Sequence, residues 1–123
     1  MSLVVRAFPL LGPVEEIEAF ASDLCSERRA GASEFYRKYG VWHESWHVQE
    51  TPTGRWVIGV TVIDDAEQAS PKYSESTTEF DVWFKQRVHA ITGINPDEQP
   101  LGPPTRQVFS WSDEQRPGSN LTE

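Results

Sequence analysis

A chain of 123 residues is long enough to bury one hydrophobic core and too short for two, so a single domain is expected. Hydrophobic residues at 37%, charged residues at 24%, five Trp and six Phe give a globular rather than a disordered balance. The net charge of -8 would repel a phosphate backbone and argues against nucleic acid as a partner, and a lone cysteine excludes an internal disulfide and a Cys-based zinc cluster.

Ser2 to Phe8 is rich in Val and Leu and closed by Pro9, which reads as a first strand. The run is too short to span a bilayer and has neither a basic leader nor a small-residue cleavage site, so the expectation is a cytoplasmic protein without a membrane partner. From Pro13 the spacing changes: Val14, Ile17, Ala21, Leu24 and Arg28 recur at three- and four-residue steps. This predicts an amphipathic helix with Glu15, Glu16 and Glu18 near its positive end and Arg28 and Arg29 near its negative end. Cys25 falls in the apolar stripe and reads as a small buried hydrophobe. Gly31 interrupts the pattern; a second piece restarts at Ser33 and runs through Phe35, Tyr36 and Tyr39 to Gly40, which suits a left-handed cap.

Residues 41–65 hold two β-rich runs, and Pro52-Thr53-Gly54 between them fits a three-residue hairpin loop. A polar connection follows Asp64 and Asp65. Ser76-Thr77-Thr78-Glu79 has the form of a capping box and opens another helix, with Phe80, Trp83, Phe84, Arg87, Val88 and Ile91 on one face and Gly93 and Pro96 at its end. Residues 105–111 read as a last strand, and residues 112–123 as a polar tail. The order β-α-β-β-α-β is the α+β, ferredoxin-like arrangement: a four-stranded antiparallel sheet with helices on one face, spanning residues 1–111.

His43-Glu44-Ser45-Trp46-His47 matches the His-Glu-x-x-His signature of zinc peptidases. The motif holds metal when helical, because residues four apart then bring their Cβ atoms within about 5–6 Å. A helix here would have to run through Gly40, whereas a strand uses Gly40 as a stop and ends at the hairpin. On a strand the two imidazoles stand about 13 Å apart, and Glu44 points to the opposite face. The strand is the favoured reading, with no metal and no other cofactor expected.

With a three-residue loop, one face of the hairpin carries Trp42, Glu44, Trp46 and Val48 beside Trp56, Ile58, Val60 and Val62, and packs on the helices. The other carries His43, Ser45, His47 and Gln49 beside Val57, Gly59, Thr61 and Ile63. That mixed face is what a second subunit would cover, so a homodimer formed sheet to sheet is expected. Glu44 among Trp and Val is the sharpest oddity. It is either a desolvated general acid or base in a cleft, or an edge residue that reaches solvent or an Arg. Arg6 on the first strand is a comparable oddity. His43, His47, Gln49, Trp46 and Trp83 are the candidate ligand contacts, though each also fits packing or an interface.

The segments GVWHESWHVQETPTGRWVIGVTVIDD and FDVWFKQRVHAITG, in this order, resemble proteins of the dimeric α/β-barrel superfamily. The matching features are Ser45-Trp46, Gln49 before the turn, Asp64-Asp65 after the third strand, and Phe80 with Trp83-Phe84. The resemblance implies two four-stranded sheets facing each other, with ligands in the cleft between sheet and helices. Its members include cofactor-independent monooxygenases, haem-degrading enzymes, isomerases and stress-response dimers, and no catalytic residue transfers from them. The leading expectation is a small homodimer that binds a small organic molecule in that cleft, with cofactor-free oxidation or acid–base chemistry at Glu44 and Trp46 and Trp83 as the apolar wall. A non-catalytic dimeric interaction or stress-response module is the alternative, and a zinc peptidase a distant third.

Overall fold

The computed structural model describes residues 1–116, and the expected polar tail lies outside the described residues from position 117 onward. Seven elements follow one another: β1 (Ser2–Pro9), α1 (Val14–Cys25), α2 (Arg29–Lys38), β2 (Val41–Thr51), β3 (Gly54–Ile63), α3 (Ala66–Glu75) and α4 (Glu79–Thr92). The three strands form one antiparallel sheet in the order β1-β3-β2. The protein is α+β, as expected, but with three strands among the described residues rather than four; α1 and α2 are the two pieces of the first expected helix, α4 is the second, and α3 is additional. The sheet is not closed into a barrel.

The missing fourth strand is the segment at 105–111. It starts beside β1, where Arg6 bridges Pro104 and Thr105 Oγ1 donates to the Val5 carbonyl, but no ladder extends from that bridge among the described residues. Pro103 and Pro104 carry no amide hydrogen, so the approach to the β1 edge begins with two residues that cannot donate to it.

The first helical region breaks earlier than Gly31. Ser26 and Arg28 amides both return to the Asp23 carbonyl, which closes α1, and α2 begins at Arg29. Gly31 lies inside α2, where a Cβ would stand 2.7 Å from Phe80 Cδ2, so its missing side chain allows α4 to approach. Cys25, at the end of α1, is exposed, contrary to its place in the apolar stripe. Gly40 does take the left-handed conformation, with φ 72°, and turns the chain into β2.

The connection after Asp65 contains a helix that the hydrophobic pattern did not reveal. The Asp65 side chain accepts the Gln68 amide at 3.2 Å and starts α3, which accommodates Pro71. Its far end is closed by Lys85 of α4, 7% exposed, whose Nζ donates to the carbonyls of Tyr73, Ser74 and Ser76 and pairs with Asp97 at 2.7 Å. Thr78, not Ser76, precedes α4, and the Ser76–Glu79 box does not form. Asp81, in the first turn of α4 and 1% exposed, receives Lys38 Nζ at 3.0 and 3.1 Å and the Tyr39 hydroxyl. Burial pushes its carboxyl up, but hydrogen bonds from Tyr39, Ser76, Lys38 and Thr78 outweigh that and hold it below the usual value.

The hairpin turns in two residues, Pro52 and Thr53, because Thr51 pairs directly with Gly54. The register therefore sets Glu44 opposite Thr61 and Trp46 opposite Gly59, one residue away from the expected pairing. On β3 the faces are exchanged: Val57, Gly59, Thr61 and Ile63 look at the helices, and Trp56, Ile58, Val60 and Val62 lie on the open face. A bulge at Trp42 lets Val41 face Ile63 and His43 face Val62.

The core forms where Ile17 and Phe20 of α1, Phe35 of α2, Tyr73 of α3 and Phe84 and Ile91 of α4 meet Val57 on the sheet. On the other face no helix covers three rows that run across the sheet: Leu3–Val62–His43, Val5–Val60–Ser45 and Ala7–Ile58–His47.

Candidate active site

Sheet and helices do not close completely on each other. Between them lies a cavity of about 150 Å³. Its floor is the helix-facing side of the sheet, with Arg6 and Phe8 from β1, Gly59 and Thr61 from β3, and Glu44 and Trp46 from β2. Gly59, lying between Arg6 and Trp46, contributes no side chain to the floor. Phe20, Phe35, Tyr36, Tyr39, Tyr73 and Phe84 form the roof, and the loop after α4 closes one end with Pro96, Gln99 and Leu101.

Glu44 is the acidic group in this aromatic wall. Both carboxylate oxygens are engaged: Thr61 Oγ1 donates to Oε1 at 2.6 Å, and Trp46 Nε1 to Oε2 at 2.7 Å. Burial raises the carboxyl above its ordinary value, and these two hydrogen bonds offset the rise only in part. An ionised carboxylate accepts more than one hydrogen bond per oxygen, so the pair of donors fixes its orientation without exhausting its capacity.

Three phenols share the cavity with it. Burial, reinforced by the charge of Glu44, keeps Tyr36 protonated well above its ordinary range, and burial does the same for Tyr73. Tyr39 is pushed up to about 12 by burial and by its hydrogen bond to Asp81. At neutral pH these hydroxyls are neutral donors, and Glu44 is the group whose proton affinity has moved toward the working range. Arg6 also reaches the cavity, and its Nη1 donates to the Val5 carbonyl at 3.0 Å.

The six residues singled out from the sequence do not converge. Glu44 and Trp46 line the cavity together. Trp83 is outside it: its ring lies under the Arg28 guanidinium at 4.3 Å and meets Phe20 edge-on at 5.4 Å. His43, His47 and Gln49 stand on the open face, across from Val62, Ile58 and Trp56. Ser45 Oγ and His47 Nε2 lie 3.0 Å apart there. Because the segment is a strand, Glu44 looks into the cavity while both imidazoles look away, so the helical geometry of a zinc peptidase is not formed.

Thr61, Gly59, Tyr36, Tyr39 and Tyr73 were not singled out. A two-residue loop would have identified the first two, since it alone sets Thr61 beside Glu44 and Gly59 beside Trp46. The tyrosines carried only a core signal. Comparison with family models, curated proteins and solved structures gave no match, so the functional reading rests on this chain's own residues.

Proposed function

We propose that the chain is a cytoplasmic homodimer that binds a small organic molecule between sheet and helices, with Glu44 exchanging a proton with that molecule. The observation that carries this reading is an aromatic cavity with one oriented carboxyl in its floor. A void of about 150 Å³ accommodates a single aromatic ring, which sets the scale of what the cavity holds in its present shape.

The chemistry this supports is general acid–base catalysis. As carboxylate, Glu44 takes a proton from an acidic O–H or C–H of the ligand and becomes a carboxylic acid; as acid, it returns the proton to a developing anion. Tyr36 and Tyr73, held neutral, can donate hydrogen bonds to an oxygen of the ligand. In the cofactor-free oxidation implied by resemblance to the dimeric α/β-barrel superfamily, dioxygen would be the oxidant and Glu44 the base that makes the ligand electron-rich. A non-catalytic interaction module would use the open sheet face and leave the oriented carboxyl without a use. We therefore favour the enzyme.

A native mass spectrum and calorimetry with phenol test the reading together. The expected mass is that of a dimer, with any retained organic molecule visible as added mass. Phenol should bind with uptake of protons, because a neutral ring desolvates Glu44 further and raises its proton affinity. Uptake should vanish in Glu44→Gln. A protein that takes no ring-sized molecule would overturn the proposal.

A further inference from the structure

The segment at 105–111 carries three of the most exposed large apolar side chains among the described residues. Val108, Phe109 and Trp111 are 79%, 80% and 74% exposed, although the segment has the composition of a strand. It leaves β1 at the Arg6–Pro104 bridge and then runs beside residues 2–6 with a cleft between them. Aromatic side chains this exposed and this close in sequence, on a segment outside any helix or strand, are uncommon in a chain that works alone.

The same molecule carries a second uncovered apolar surface. On the open sheet face, Val5 and Ala7 of β1 stand beside Val60 and Ile58 of β3, and no helix packs there. Residues two apart on a strand point to the same side at a spacing of about 6.6 Å. Phe109 and Trp111 take that spacing once the segment pairs as a strand, and the rows of the open face already have it.

We infer that residues 105–111 form an arm that crosses to a second copy of the chain and lays Phe109 and Trp111 on the open face of its sheet. The inference rests on the homodimer proposed above and adds what holds it together. Area supports this occupant. Aromatic residues bury about 150–250 Å² each, so the exposed parts of Phe109 and Trp111, which share a side, amount to about 350 Å² per arm. Each protomer gives one arm and the patch that receives the other. That is about 700 Å² per partner, toward the lower end of a standard stable interface.

The arm also explains why the expected fourth strand is absent from its own sheet. Its sequence is that of a strand, and its interacting surface belongs to another copy.

Sedimentation velocity on the full chain, alone and with Phe109→Ser and Trp111→Ser combined, tests the inference. Both residues are exposed in one copy, so the double variant should fold, and its dimer dissociation constant should rise about tenfold or more. An unchanged dissociation constant would overturn the arm and leave the sheet-to-sheet dimer standing. Hydrogen exchange gives a second reading: amides at 106–111 should gain protection as concentration rises through dimerisation. Protection already present in dilute monomer would make the segment a fourth strand of its own sheet and refute the exchange between copies. A full chain that stays monomeric throughout would refute arm and dimer alike. Phenol binding on the same samples reports the cavity separately.

Discussion

Glu44 is held by two donors yet destabilised by its surroundings, and these opposing effects make a stability prediction. Its folded proton affinity is raised, so the stability it contributes is present below the ordinary Glu value of 4.5 and lost as pH climbs through the higher folded value. Gln has the same shape and does not ionise; its amide oxygen accepts from Trp46 Nε1, and its NH2 group donates to Thr61 Oγ1 once that hydroxyl rotates to accept. Glu44→Gln should therefore be more stable than the parent at neutral pH, with the difference vanishing toward acid pH. Urea unfolding across that range measures it; equal stability at every pH would mean that Glu44 is well solvated. A variant that gains stability while losing its proton exchange with ligand is the signature of a residue retained for function.

At the scale of elements, the joint between α3 and α4 depends on Lys85. Its ammonium meets three carbonyls at the end of α3 and the carboxylate of Asp97. Lys85→Met keeps the aliphatic stem and removes the donors, leaving carbonyls unsatisfied where water has little access. The expected loss is about 2 kcal/mol, with faster hydrogen exchange confined mainly to residues 66–75. Uniform loss of protection over the whole domain would show that α3 has no separate stability. This helix was also the hardest to read from the sequence. Pro71 interrupts its propensity, and only Asp65 with Gln68 three residues later marks its start. By contrast, α4 was legible because Phe80, Phe84, Val88 and Ile91 repeat at helical steps and Gly93 supplies the left-handed end, with φ 75°. The strands β1, β2 and β3 were legible from composition. Their register was not, because Pro52-Thr53-Gly54 fits two loop lengths and one residue exchanges the faces.

At the scale of the whole molecule, the open face should behave as a surface awaiting cover. Val60 lies at its centre between Val5 and Ser45, half-buried, with no core neighbour beneath its side chain on that face. Val60→Lys is expected to give a folded monomer that still binds phenol, as read by sedimentation and calorimetry; a dimer of parental strength would place the interface elsewhere. The cavity itself was only half legible, since Glu44 and Trp46 stood out as residues while their tyrosine neighbours come from helices whose packing no single-chain pattern displays. What assigns Glu44 to the inside is its pairing with Thr61, and the bulge at Trp42 lets Val41, three residues earlier, face inward as well. Chain length at this point acts as a reading frame in space. Dropping one residue between Val41 and Glu44 would only remove the bulge and keep Val41 opposite Ile63, but dropping both would leave the hairpin as it is and turn Val41 outward, opposite Val62. It would also drag Gly40, whose carbonyl accepts the Asp64 amide at 2.9 Å, about 3.3 Å along the strand. Losing those two codons would unseat the end of α2, and with it Tyr39, from the roof of the cavity.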